Sequence, residues 1–433
     1  MIKTLHITNS YHPTSGGIRT FYTALLQAAN EHRRYVRLVV PGEETLVQEI
    51  GAYGRIYTVT APKSPVLDNR YHMMLPPEYA WPGETTLRRI LAEERPELLE
   101  VCDKFWLTYL PGTLRRQWLG NLPVPAIVGL TCERLDDMTA FHLSSSELCR
   151  WLCGLYMKKI YVPRFDFHIA VSDYTAAEVR RALPAGMQNR LYVEPMGVDY
   201  ERFSRGQDCR ETRAELLRQA GADSNGVLLL YAGRLGQEKN LLLLPPILQR
   251  LQSRGKFDFR MIVAGAGPML SELRDAFEEY APGRALFLGQ CDAERLCKLY
   301  GAADAFVHPN GHEPFGIAPL EAMSAGLPMV APASGGLLTY ANRQNAWLAE
   351  STPEGFAAAI QDAVSDAAAR REKTARARKT AQGFSWDRVT DRYFHLYDLL
   401  HTRFQNEGIG KWHLRWKKEA QEVGADEQDY AAA

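Results

Sequence analysis

The sequence predicts an α/β chain of two Rossmann-like domains, and three observations lead there. Apolar runs of strand length alternate with amphipathic helical stretches almost from end to end, the pattern of a parallel sheet covered on both faces. The alternation comes in two sets, separated by a polar, turn-rich stretch at 204–226. The chain, at 433 residues, is longer than one ordinary core serves.

In the first set, strands are expected at 4–8, 35–40, 55–60, 97–101, 125–130, 167–172 and 191–195. Helices are expected between several of them, such as 17–32 and 174–183. The second set opens with "VLLLYAG" at 227–233 and continues through "RMIVAGAG", "ALFLG", "DAFVHP" and "PMVAP", again with helical stretches between. The expected domains are therefore 1–203 and 204–384, with 204–226 as linker. A long amphipathic helix at 385–404 is expected to cross back and pack on the first domain, leaving a tail at 405–433. Residues 137–162 read as a helical insert packed into the core, with an acceptor or membrane-facing surface as the alternative.

Composition narrows the function. Lys+Arg and Asp+Glu are both 51, so no global field calls for nucleic acid. The seven cysteines form no CxxC pair and no disulfide-like framework, which predicts reduced thiols and a cytoplasmic setting. The apolar run at the start is too short for a signal peptide, and no run is long enough to span a membrane. A peripheral place at the inner face of a membrane stays open. The tail, with "KWHLRWKKEA", reads as a solvated end or a membrane-surface contact.

The stretch "HEPFGIAPLEAM" (312–323) carries the most chemistry. Pro314 and Gly316 prevent a helix from starting before about residue 317, whereas Pro319 is tolerated in a first turn. Glu321 then sits near the helix start and Glu313 in the loop that feeds it. A first-turn carboxylate could merely complement the helix dipole, but that leaves Glu313 and "PFGI" unexplained. Free N–H groups at Phe315, Gly316 and Ile317 would face a ligand, and a carboxylate can accept both hydroxyls of a vicinal diol. Upstream, "YAGRLGQEKN" places Arg234 and Lys239 after a strand end, a pairing suited to a diphosphate.

In this order, Arg234, Lys239, "VAGAGP" (263–268), "YGAADAFVHP" (300–309), Glu313-Pro-Phe-Gly and Glu321-Ala-Met-x-Ala-Gly resemble the retaining GT-B glycosyltransferases of the family-four type, or glycosyl transferases group 1. "SGGI" (15–18), "IAVSDYTAAEV" (169–179) and "PMGVDYERF" (195–203) extend the resemblance to about residue 404. It implies two facing domains with the active site in the cleft. A nucleotide diphosphate sugar would be held by the second domain and a hydroxyl acceptor mainly by the first. By the same resemblance, Arg234 and Lys239 bind the donor diphosphate, and Glu321 binds the ribose hydroxyls. Glu313 and the backbone at Phe315–Ile317 hold the sugar. Gly265 and Gly267 line the donor side, and Gly16 and Gly17 let a loop close over the phosphates. No metal and no cofactor beyond the donor substrate is implied.

Cys132, in "GLTCERLDD" (129–137), stands where family members commonly carry a histidine near the acceptor, and is the acceptor-side candidate. "LDDM" (135–138) lacks an Asp-x-Asp spacing and does not argue for a metal. In "VAGAGPML", Leu270 stands where a dinucleotide fingerprint needs its third glycine. His308 and His312 have the spacing of a zinc helix, but Pro309 and Gly311 argue against a helix there. A sugar-nucleotide epimerase or hydrolase, or a non-catalytic donor-binding subunit, remains open beside the transferase reading.

Overall fold

The computed structural model describes residues 2–12, 16–64, 71–80, 84–142, 145–204 and 209–407. The chain divides into two compact units, Met1–Pro195 with Thr390–Ala433, and Met196–Val389. Each unit is built on one twisted sheet with helical connections.

The first unit's sheet holds β1 (Thr4–Thr8), β2 (Val36–Gly42), β3 (Leu46–Ile50), β4 (Gly54–Thr60), β5 (Leu98–Cys102), β6 (Ala126–Thr131), β7 (Phe167–Ala170) and β8 (Leu191–Val193). Their order is β3-β4-β2-β1-β5-β6-β7-β8, parallel except for the β3–β4 hairpin. The central strands are buried on both faces, as their unbroken apolar runs require. The edge strand β3, "LVQEI", is largely exposed, and its mixed polarity hid it from the sequence reading.

The helix Trp386–Glu407 ends the described chain, and from Thr390 onward it belongs to the first unit. Its inward stripe includes the fully buried Tyr393, Tyr397 and Leu400. Tyr397 Oη donates to Glu100 Oε2 at 2.8 Å, and Tyr22 Oη donates to Glu100 Oε1 at 3.1 Å. His6 Nδ1 lies 2.8 Å from the same Oε1. A carboxylate at the centre of a core is tolerable only when its oxygens are bonded in this way. That requirement ties β1, β5, the Gly17–Glu31 helix and the returning helix together.

The second unit's sheet is entirely parallel. Its strands are β9 (Val227–Ala232), β10 (Phe259–Ala264), β11 (Ala285–Gly289), β12 (Ala305–Val307), β13 (Met329–Pro332) and β14 (Trp347–Ala349). They are ordered β11-β10-β9-β12-β13-β14. Successive strands first run outward from β9 and then restart on its other side at β12. The direction of winding therefore reverses between β9 and β12.

Three expectations are corrected. The first unit ends at Pro195, before residue 203, because "MGVDYERF" packs within the second. Val198 N donates to Phe384 O at 2.8 Å, and the Phe203 ring meets Tyr300 edge-on at 5.6 Å. The supposed linker contains a helix, Arg210–Gln219, that buries Leu216 and Leu217 and pairs Arg213 with Asp304 at 2.9 Å. Its apolar face is short, so the polar composition masked it.

The third correction concerns 137–162, which is only half a core insert. It folds as the helices Leu135–His142 and Glu147–Tyr156 followed by a π-helical turn, Met157–Tyr161. Cys153, Met157 and Tyr161 are buried, whereas Leu148, Trp151, Leu152 and Leu155 are exposed. The second helix carries apolar residues on two stripes, and only the one with Cys149, Cys153 and Tyr156 joins the core. The tail at 408–433, Ser15 of "SGGI" and 205–208 of the supposed linker lie outside the described residues.

Tyr397→Phe is expected to cost roughly 1–2 kcal/mol, by leaving a buried Glu100 oxygen without its donor. Urea unfolding of the variant beside wild type measures this. An unchanged midpoint would remove Glu100 from its organising role.

Candidate functional site

Open α/β sheets bind ligands at the carboxyl ends of strands where the winding direction reverses. In the second unit that place lies between the loops leaving β9 and β12. The first loop carries Arg234 and Lys239, and the second carries His308, Asn310 and Glu313. The loops meet in an ion pair, Lys239 Nζ to Glu313 Oε2 at 2.9 Å. Asn310 Nδ2 donates to the same oxygen at 3.0 Å, and His308 Nε2 lies 3.3 Å from it. No described residue donates a hydrogen bond to Oε1.

Glu313 is only 7% exposed. Burial works against its charge, but the Lys239 ammonium, with help from His308, outweighs it and holds the carboxyl well below the usual range. Glu313 is thus an anion held on one oxygen. Arg234 is placed differently. Its side chain is 43% exposed and pairs with Glu238 at 2.6 Å, so it flanks the cluster on the solvent side.

The helix that follows begins at Ile317, as the prolines and glycine require. Gly316, ahead of it, has φ +87°, and no side chain caps the helix start. A Cβ on Gly316 would come within 2.9 Å of the Tyr340 hydroxyl. That hydroxyl lies 3.0 and 2.6 Å from the carbonyl oxygens of Phe315 and Gly316. Gly336 N donates to Glu313 O at 2.6 Å, and Ser334 Oγ to Gly311 O at 2.9 Å. The 334–340 segment therefore braces the turn that aims Glu313.

Glu321 lies in the second turn of that helix and not in its first, so a dipole role does not explain it. Its Oε2 accepts from Tyr300 Oη at 2.8 Å. Burial, reinforced by the Asp199 charge, raises its pKa to about 7 despite the Tyr300 bond. The two glutamates thus sit in opposite electrostatic settings, one held ionised and the other poised near neutrality.

Gly265 and Gly267 have a packing reason of their own. A Cβ on Gly265 would lie 1.9 Å from Gly233 O, and one on Gly267 2.3 Å from Leu235 O. The turn after β10 is laced to the loop after β9, with Leu235 N donating to Ala266 O at 3.0 Å. It fixes the backbone around Arg234.

The remaining candidates belong to the first unit. Gly17 opens the Gly17–Glu31 helix and Gly16 precedes it, and a Cβ on Gly16 would meet no atom within 4 Å. Cys132 follows β6, with its Sγ 3.7 Å from Cys102 Sγ at the end of β5. That contact and burial push its thiol well above the ordinary value, so it stays protonated. The loop after it is fixed by a buried ion pair, Lys104 Nζ to Glu178 Oε2 at 2.5 Å. Glu178 Oε1 in turn accepts from Leu135 N at 2.8 Å. The acids of "LDDM" have partners already, Asp136 with Arg134 at 2.5 Å and Asp137 with Tyr174 at 2.5 Å.

Sequence reading missed Asn310, Tyr300 and Tyr340 as supports of the two glutamates. The signal for Tyr300 was its place in "YGAADAFVHP"; Tyr340 lies in a stretch to which the sequence reading gave no role. His308 and His312 do not share a helix face, because 308–316 is a loop. Among the described residues, no group of three or more His, Cys, Asp or Glu side chains is placed to hold a metal ion.

Two doubly wound domains, the second with a buried polar cluster around Glu313 at its winding switch, fit a GT-B architecture. Solved structures agree. A sucrose-phosphate synthase from Thermosynechococcus elongatus superposes with TM-score 0.75 over 93% of this chain and 100% of its own, at 20% identity. Anabaena HepE, in complex with UDP and glucose, gives TM-score 0.65 over 92% and 100% at 16% identity. Residues 212–382 match the family model "Glycosyl transferases group 1". A GDP-mannose-dependent alpha-(1-6)-phosphatidylinositol dimannoside mannosyltransferase of Mycobacterium tuberculosis is 27% identical over 390 residues, 90% of this chain and 94% of that protein. A GDP-mannose-dependent alpha-mannosyltransferase of Corynebacterium glutamicum is 24% identical, over 78% of this chain and 73% of that protein. The chain has the GT-B fold, and its residues 212–382 match the group 1 glycosyltransferases.

A raised pKa means that folded Glu321 binds its proton more tightly than the unfolded chain does. Stability therefore falls as pH rises from the ordinary glutamate value through about 7. Glu321→Gln removes that loss, so its melting temperature is expected to gain on wild type between about pH 5 and pH 8. The gain corresponds to roughly 1–3 kcal/mol. A pH-independent difference between the two proteins would contradict the assigned setting of Glu321.

Proposed function

We propose that this chain is a retaining hexosyltransferase, moving a hexose from a nucleoside diphosphate sugar to a hydroxyl acceptor without a metal ion. The observation that carries the proposal is Glu313, buried and ionised, held by Lys239 and Asn310 on one oxygen in the turn that feeds a helix start without a side-chain cap. In this reading Oε1 of Glu313 accepts a hydroxyl of the sugar, and its charge supports the positive charge that develops at the anomeric carbon. The N–H groups at Phe315, Gly316 and Ile317 bind the donor from the helix end. Glu321 takes the ribose diol. Arg234 and Lys239 face the diphosphate, where two cations and the helix start offset the charge of the leaving group as a metal otherwise would.

Transfer follows by same-face attack. The acceptor oxygen bonds to the anomeric carbon as the carbon–oxygen bond to the diphosphate breaks, and the acceptor proton passes to the departing phosphate oxygen. Retention comes from attack on the face that the leaving group vacates. The two relatives named as GDP-mannose-dependent support GDP-mannose as the first donor to test.

Glu313→Ala is expected to lower kcat by about 10²–10³-fold in a GDP-release assay, the usual size of a lost charge-stabilising group. A variant with normal turnover would sink the assignment. Proton NMR of the product formed from GDP-mannose should show the donor's anomeric configuration. An inverted product would rule out the mechanism, and loss of turnover with a chelator would rule out metal independence.

A further inference from the structure

Each of the two cations that face the diphosphate in the proposed reaction is already paired with a carboxylate. Lys239 meets Glu313 at 2.9 Å and Arg234 meets Glu238 at 2.6 Å, so the four groups sum to zero formal charge. Such a set attracts a further anion only if one pair opens or shares its cation. The two pairs differ in how readily that happens. Glu313 is buried, with Lys239, Asn310 and His308 around one oxygen, and parting it from Lys239 would leave a buried charge uncompensated. Arg234 and Glu238 stand four residues apart in one loop, and the Arg234 side chain is 43% exposed. Its bond to Glu238 is the one side-chain hydrogen bond it makes among the described residues. Pairs this exposed hold weakly, and the guanidinium fork keeps further donors.

Glu238 is nonetheless placed by the loop and not left to solvent. Gln237–Lys239 forms one 3-10 turn, closed by Lys239 N donating to Gly236 O at 3.1 Å. Asn240 ends the turn at φ +53°, and its Nδ2 donates to Pro309 O at 3.1 Å in the loop after β12. Held in this way, two successive side chains go to different partners, Lys239 to Glu313 and Glu238 to Arg234. The Glu238 side chain is 16% exposed, and its carboxylate lies against Gly236, where a Cβ would stand 2.3 Å from Oε2. A residue without a side chain at 236 leaves the carboxylate that room. Carboxylate and phosphate oxygens are alternative acceptors for the same guanidinium fork.

We propose that Glu238 is a stand-in anion: it holds Arg234 until a diphosphate takes its place, and by competing for that guanidinium it weakens the binding of donor and released nucleotide alike. The inference rests on the reading of Arg234 as a diphosphate ligand. It gives Glu238 a part in turnover, because the released nucleoside diphosphate carries more negative charge than the donor did. A carboxylate that returns to Arg234 favours its departure. Glu238 acts through Arg234 and is a positioning residue.

Calorimetric titration of the full chain and of Glu238→Gln with GDP, UDP, ADP and dTDP tests it. The nucleotide that binds wild type should bind Glu238→Gln about three- to tenfold more tightly, the size of a partly exposed ion pair released. Glu238→Ala, which removes the charge by a second route, should show the same gain. With GDP-mannose as donor, KM should fall in the variant while kcat does not rise. In an Arg234→Ala background the gain should shrink, because no guanidinium remains to be released. A carboxylate that merely orients Arg234 or braces the loop predicts the opposite sign. Equal or weaker binding by both Glu238 variants therefore overturns the proposal, and so does a gain that persists in full without Arg234. If wild type and variants alike bind none of the four nucleotides, the diphosphate reading of Arg234 fails and takes the inference with it.

Discussion

The ion pair between Lys239 and Glu313 is the constraint on which the second unit's site depends. Two loops leave the sheet on opposite sides of its winding switch, each tied by backbone hydrogen bonds to a segment beside it. A buried carboxylate cannot stay charged without a partner, and a lysine drawn into a loop loses water that something must replace. Each satisfies the other at 2.9 Å, and Asn310 completes the oxygen's coordination. The loop after β12 is thereby closed onto the loop after β9. The brace from Tyr340 and Gly336 then fixes the direction in which the turn enters the helix. Glycine is required at 316 because the chain must pass through φ +87° beside that tyrosine.

The two glutamates differ because their neighbours differ. Glu313 faces an ammonium and remains ionised across the physiological range. Glu321 is buried beside the charge of Asp199, and its bond from the Tyr300 phenol does not outweigh these, so its charge is marginal. A group that releases its proton near neutrality binds a diol more strongly once ionised, which would make a ribose contact here sensitive to pH. The first unit follows the same rule at its centre, where Glu100 is kept by Tyr22, Tyr397 and His6. There the polar network joins the carboxyl-terminal helix to the sheet, with no ligand required.

Much of this was legible in the sequence for a physical reason. Parallel strands buried on both faces write themselves as unbroken apolar runs, so the two sheets could be read strand by strand apart from the exposed β3 and the three-residue β14. The helix start at Ile317 followed from Pro314, Gly316 and Pro319. What stayed hidden depended on partners distant in sequence. The pairing of Lys239 with Glu313 spans two connections, and nothing local signals that the lysine serves the glutamate. The brace from Tyr340 comes from a stretch well beyond the turn it supports. The Arg210–Gln219 helix was lost to its polar composition. The exposed stripe on Glu147–Tyr156 was taken for core because periodicity shows that a face is apolar, not what covers it.

The most direct test of the donor-site account is calorimetric titration of the full chain with GDP, UDP, ADP and dTDP, repeated on Glu321→Ala and in the presence of a chelator. The account predicts clear binding of one nucleotide, weakened in the variant by about tenfold or more as a buried charged hydrogen bond is lost, and unchanged by the chelator. Absence of binding by the folded protein to all four, or equal binding by the variant, would contradict it.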